Sequence, residues 1–113
     1  MERGDIYLAA PLGRDPRKRR PFVVVSRKEL IQSSYSSILC VPIYSSANGL
    51  ETEVLLGPSA GIKHVSFARC DEITSVDRRS LTRFAGRVPV EEMRRIHRAL
   101  LVALDIPPQD VVQ

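Results

Sequence analysis

Four consecutive cations, Arg17-Lys18-Arg19-Arg20, run through Pro21 into four consecutive apolar residues, Phe22-Val23-Val24-Val25. An unbroken apolar run rich in β-branched side chains favours extended backbone, and unlike an alternating pattern it leaves neither face of the strand suited to water. Such a strand needs apolar cover on both sides, which sharply limits how a chain of 113 residues can be arranged around it. The charges at its entrance repel one another and are ordinarily left to solvent. Holding them beside a rigid strand suggests a phosphate-rich partner.

The rest of the chain reads as short strands closed by one helix. Residues 5–9 (DIYLA) form a first strand, and Pro11, Gly13 and Pro16 keep the following ten or so residues irregular. Ser26 to Ser37 is polar and mixed, with room for a single helical turn over Arg27 to Ile31. Ile38-Leu39-Cys40-Val41-Pro42-Ile43 reads as a second core strand, with Pro42 placing it at an edge or a bulge because proline has no N–H for a ladder. A turn over Ser45-Ser46-Ala47-Asn48-Gly49 precedes a strand from Glu51 to Leu56. Between Val65 and Cys70 a period of two sets Val65, Phe67, Arg69 and Asp71 on one face and Ser66, Ala68 and Cys70 on the other. Ile73 to Val76 and Phe84 to Val88 complete five to seven strands.

Met93, Ile96, Leu100, Ala103 and Leu104 recur at helical spacing, with Glu91 and Glu92 in the first turn where the helix dipole favours them and Pro107 beyond the end. Strands closed by one long C-terminal helix describe a mainly β (α+β) chain, a small antiparallel sheet bent into a partly open barrel. One domain over residues 1–113 is expected, with 108–113 a frayed tail.

A composition of 43% hydrophobic and 27% charged residues argues against global disorder, and the formal charge of +4 agrees with a polyanionic partner without specifying one. Cys40 and Cys70 lie in apolar runs with no CxxC and no neighbouring histidine, so they read as buried free thiols, and no metal or other cofactor is expected. No signal-peptide pattern and no apolar stretch approaching ~20 residues is present, which points to a cytoplasmic protein without a membrane partner.

Candidate chemistry is spread over several strand ends. Pro21 restricts Arg20 to extended geometry, so its guanidinium is either held for a phosphate contact or is one more solvated charge of the loop. Arg69 and Asp71, on one strand face, read as a structural ion pair or as a phosphate-binding group beside a base. Phe67 on that face either stacks a nucleobase or belongs to the core. Tyr44-Ser45-Ser46 offers hydroxyls where a strand opens into a turn, positions where hydroxyls commonly satisfy local backbone. His64, ahead of a strand, can titrate near neutrality, whereas His97 reads as a packing residue of the helix. A Walker loop and GxGxxG are absent from the sequence.

In order and spacing, Arg3-Gly4-Asp5-Ile6-Tyr7-Leu8-Ala9, Arg20-Pro21 before a valine strand ending in Ser26, Val41-Pro42-Ile43-Tyr44-Ser45-Ser46, Ser66 to Ile73 with Arg69-Cys70-Asp71, the Leu81 to Val88 stretch with Gly86 and the terminal helix resemble the MazF/PemK family of toxin endoribonucleases. The resemblance runs from Arg3 to Ile106. It implies an SH3-like barrel, a homodimer with single-stranded RNA in a groove near the interface, a cognate antitoxin, and metal-independent cleavage by the ribose 2′-OH. That attack leaves a 2′,3′-cyclic phosphate and a 5′-OH. The resemblance assigns Arg20 to phosphate stabilisation and proton donation, and Arg69 and Asp71 to phosphate binding and to base or positioning work. Arg17, Lys18, Arg19, Phe67 and His64 become candidates for binding RNA.

Three positions depart from the family pattern. Tyr44 stands where Thr or Ser is usual, so either the Tyr44 phenol donates, or a local bulge brings Ser45 round, or the chain is a weak nuclease. The first loop lacks the usual Glu-Gln pair, and Glu72 replaces the usual Gln after the aspartate. A gyrase-targeting toxin of the CcdB type and an RNA-binding module without cleavage remain alternatives for the same residues.

Overall fold

Both faces of the valine strand are covered, by two separate apolar clusters. The structure, a computed structural model, describes residues 1–10, 15 and 17–111. The expected irregular loop at Pro11, Gly13 and Pro16, and the end of the expected tail, lie outside the described residues. The strands are β1 (Asp5–Ala9), β2 (Arg20–Val24), β3 (Ser37–Tyr44), β4 (Glu53–Leu56), β5 (Ser66–Arg69), β6 (Thr74–Asp77) and β7 (Arg83–Arg87), with helices α1 (Lys28–Gln32) and α2 (Val90–Ala103). All pairings are antiparallel in the order β4-β5-β3-β2-β1-β7, and β6 shares with β5 the edge of β3 opposite β2.

Val23 and Val25 join Ile6, Val41, Ile43, Val54, Leu56, Ala68 and the α2 residues Met93, Ile96 and Ala99 in the first cluster. Phe22 and Val24 point the other way, into a second cluster with Ile38, Cys40, Val76, Leu81 and Ile31 of α1. Successive residues of one strand therefore feed two cores. Ser26 ends the run by accepting the Leu39 N–H on its hydroxyl at 2.6 Å, while its own N–H reaches the Leu39 carbonyl at 3.2 Å. At the far end of the sheet, β7 lies against the turn after β4. A Cβ on Gly86 would come within 2.2 Å of the Ala60 carbonyl oxygen, so only glycine allows the approach that curls the sheet into a half-barrel.

Several expectations need correction. Pro42 is on the central strand, not an edge: it faces Phe22 of β2, and on its other side falls between the β6 register, which ends at Cys40, and the β5 register, which begins at Ile43. The partner switch accommodates a residue with no N–H to donate. The strand expected from Glu51 starts at Glu53, after a turn closed by Glu53 N–H donating to the Leu50 carbonyl. The strand expected from Val65 to Cys70 spans only Ser66–Arg69, and a 3-10 turn over Cys70–Glu72 follows.

In α2 the buried positions are Met93, Ile96 and Ala99, with Leu100 and Ala103 partly covered, and Leu104 is exposed because the helix has already ended. His97 is not a packing residue. It is exposed, with Arg3 Nη1 2.6 Å from its Nε2, and partial burial with the Arg3 charge lowers its pKa. Cys40 and Cys70 are free and buried, one in each cluster, and burial pushes both thiols up to about 12. No helix among the described residues is long and apolar enough to cross a membrane.

Candidate active site

Tyr44, the last residue of β3, is where the candidate residues converge. The guanidinium carbons of Arg20 and Arg69 each lie 3.9 Å from its ring centroid. One face cannot hold two planar cations at that distance, so the ring is clamped between them. Each stack contributes about 0.5–1 kcal/mol at a partly exposed site. Strand order explains the convergence: β2 and β5 flank β3, Arg20 opens β2, and Phe67 pairs with Tyr44 so that Arg69 closes β5 two residues further on.

The two arginines differ in what else they hold. Arg20 Nη1 donates to the Ile43 carbonyl at 3.3 Å and, among the described residues, no carboxylate lies within ion-pair distance of it. Arg69 donates to the Ser46 carbonyl at 3.0 Å, the Ser46 hydroxyl at 3.1 Å and Glu72 Oε2 at 3.3 Å, and its Nε lies 3.8 Å from Glu53 Oε2. Glu53 is itself fixed, its carboxylate accepting the Leu50 N–H at 2.8 Å and the Asn48 N–H at 2.9 Å. Those backbone donors, with Arg69 behind them, hold its pKa below the usual carboxylate value.

The Tyr44 hydroxyl donates to Glu72 Oε1 at 2.9 Å. Burial and this hydrogen bond raise the phenol's pKa, outweighing the pull of Arg20 and Arg69, so Tyr44 remains a protonated donor through neutral pH. The arrangement places a neutral O–H between two cations, a combination suited to an anion whose charge grows during reaction.

The expected pairing of Arg69 with Asp71 is not formed. The 3-10 turn after Arg69 ends the period of two, so Asp71 leaves the strand face, becomes exposed and accepts from the Thr52 hydroxyl. Glu72, one residue on, takes its place on Arg69. Ser45 is exposed beyond the strand end and Ser46 supplies the hydroxyl that touches Arg69, so of the two candidate hydroxyls Tyr44 occupies the cluster.

Phe67 is half-buried beside Tyr44, while Arg17, Lys18 and Arg19 are exposed ahead of β2. Arg17 folds back onto Asp15, with Nη2 3.1 Å from Oδ2. His64 is exposed ahead of β5, and its carbonyl accepts the Ser66 hydroxyl at 3.0 Å. Among the described residues no group of three or more His, Cys, Asp or Glu side chains is placed to hold a metal ion.

Fold and site together define a small antiparallel half-barrel domain that carries a cation-flanked hydroxyl at the end of its central strand. A family model described as PemK-like, MazF-like toxin of type II toxin-antitoxin systems matches residues 2–104. A probable endoribonuclease MazF of Mycolicibacterium smegmatis is 37% identical over 109 residues, covering 94% of this chain and 98% of that one. The chain belongs to the PemK/MazF toxin family.

Solved structures agree on the fold. The Mycobacterium tuberculosis toxin MazF-mt6 superposes with a TM-score of 0.79 at 23% identity, covering 91% of this chain and 98% of that one. A mycobacterial endoribonuclease in complex with its cognate antitoxin gives 0.81 at 24% identity, covering 95% and 97%.

Proposed function

We propose that this toxin is an endoribonuclease that cleaves single-stranded RNA, messenger RNA above all, at short sequences by a metal-independent route, with the reaction centred on Tyr44 and Arg20. The clamp of Tyr44 between two guanidiniums is the observation that carries this reading. The ribose 2′-OH attacks the adjacent phosphorus, the P–O5′ bond breaks, and the products are a 2′,3′-cyclic phosphate and a 5′-OH. DNA, without a 2′-OH, is not a substrate.

Arg20, with no carboxylate within ion-pair distance among the described residues, stabilises the charge that builds on the phosphorane oxygens. Tyr44, kept protonated, donates toward the departing 5′ oxygen. Arg69 binds phosphate and fixes the phenol, and Asp71, anchored by Thr52 at the rim, is the candidate base for the 2′-OH proton. Arg17, Lys18 and Arg19 hold the backbone of the strand electrostatically, with Phe67 and His64 bordering the path of the bases. The protein works as a homodimer in the cytoplasm, where its message substrate is translated, and a cognate antitoxin restrains it by covering the cationic site.

Incubation of purified protein with a long single-stranded RNA in EDTA, followed by sequencing of 5′-OH ends, tests the reading. Discrete cuts at a shared short motif are expected. RNA left intact after verified removal of antitoxin would overturn it.

A further inference from the structure

Glu72 uses both of its carboxylate oxygens on the cluster, Oε1 on the Tyr44 hydroxyl at 2.9 Å and Oε2 on Arg69 Nη1 at 3.3 Å. A phosphodiester likewise presents two equivalent anionic oxygens on one central atom, and donors that grip one such pair grip the other. We propose that Tyr44 Oη and Arg69 Nη1 form a phosphate subsite for the RNA backbone, which Glu72 occupies in the free protein and vacates when RNA binds. The inference rests on the endoribonuclease reading and deepens it.

Two carboxylates touch Arg69, and the structure distinguishes which one can leave. The Glu53 side chain is 5% exposed and is tied to the Asn48 and Leu50 amides. Removing it would strip two backbone donors of their acceptor. The Glu72 side chain is 45% exposed and is held by the same two donors that an incoming phosphate would use. Swinging it into water therefore leaves no buried group unpaired, and the donors are satisfied again once the phosphate arrives.

While seated, Glu72 keeps the phenol and the guanidinium oriented. It also imposes competition: a phosphate must displace an anion already there, and this lowers the apparent affinity for every RNA by the same factor. Glu72 thereby sets a threshold that the remaining contacts of any RNA have to meet. Glutamine, the residue usual in the family, keeps the size and removes the charge.

The test compares wild type, Glu72→Gln, Glu72→Asp and, as a control for an exposed charge that touches neither Tyr44 nor Arg69, Glu51→Gln, measured on an RNA that wild type cuts and on its 2′-deoxy-substituted, uncleavable copy. Glu72→Gln should bind the uncleavable RNA about two- to fivefold more tightly, the scale of one exposed ion pair. Its log Kd against log salt line should steepen by up to about 0.7, because binding no longer sets free a carboxylate that offsets the phosphate contact.

Glu72→Asp, which keeps the charge but loses the reach to bridge both donors, should also bind more tightly than wild type. Glu51→Gln should not. Equal gains in Glu72→Gln and Glu51→Gln with none in Glu72→Asp would reduce the effect to general charge and overturn the subsite. A fall in kcat for Glu72→Gln with unchanged binding would make Glu72 a proton carrier and overturn it equally. Wild type that neither binds nor cuts RNA would instead sink the endoribonuclease reading itself.

Discussion

Arg20 and Arg69 stack on the same ring at the same distance, yet their surroundings make them different instruments. Arg69 is 17% exposed and shared among Glu53, Glu72 and Ser46, so most of its charge is spent inside the protein. Among the described residues the Arg20 side chain keeps one hydrogen bond, to a backbone carbonyl, and its charge is not shared with a carboxylate. Chemical identity and distance to a shared neighbour thus say little about a cation's task. The anions already around it say more.

The sharpest way to break this contrast is Arg20→Ala. Cleavage should fall by about 10²–10³-fold in kcat, as for other lost oxyanion donors, while RNA affinity changes only a few-fold and the melting temperature stays put. A loss confined to binding would show Arg20 to be one more backbone contact. Next comes Tyr44→Phe, which keeps both stacks and removes the proton donor. A drop of about 10²-fold in cleavage is expected with little change in stability, measured by single-turnover kinetics beside thermal unfolding.

Arg69→Ala should show its main effect in the fold. Glu53 would lose the cation beside it and the strand end its anchor on Ser46, a loss of stability read by urea unfolding, with reduced cleavage following from the freed phenol. Arg69→Lys should recover little, because an ammonium cannot reproduce the fork that spans Ser46 and Glu72. If instead Arg69→Ala unfolds like wild type and loses cleavage as completely as Arg20→Ala, the two arginines are equivalent after all. The smallest effect carries the distinction into the basic run. Arg17 is paired with Asp15 and Lys18, among the described residues, has no such partner. Lys18→Ala should weaken RNA binding and flatten its salt slope by about 0.7, and Arg17→Ala by less.

Much of this was legible in the residues. An unbroken Phe-Val-Val-Val run implies burial on both faces, and β2 divides its side chains between two clusters. The helical periodicity of the terminal segment located α2, although the covered face includes Ala99 and excludes Leu104 because a spacing rule does not sense where the helix stops. Arg20, Tyr44 and Arg69 were identifiable as site candidates, and the order of strands brings them together.

Glu72 was visible only as a departure from a family pattern. An acid following an acid reads as solvated surface, and nothing local announces the 3-10 turn that rotates Asp71 away and brings Glu72 round. Pro42 misled for a related reason. A rule about missing donors assumes one partner along each edge, and β3 changes partner beside the proline.

The first apolar cluster joins residues that the chain produces far apart. Val54 and Leu56 of β4 and Ala68 of β5 are covered by Met93, Ile96 and Ala99 of the last helix. The strand that carries Arg69, and the turn that carries Glu72, are therefore seated only when α2 has docked. Anything that loosens α2 reaches the cationic cluster from a distance, through the strand and turn that the helix covers.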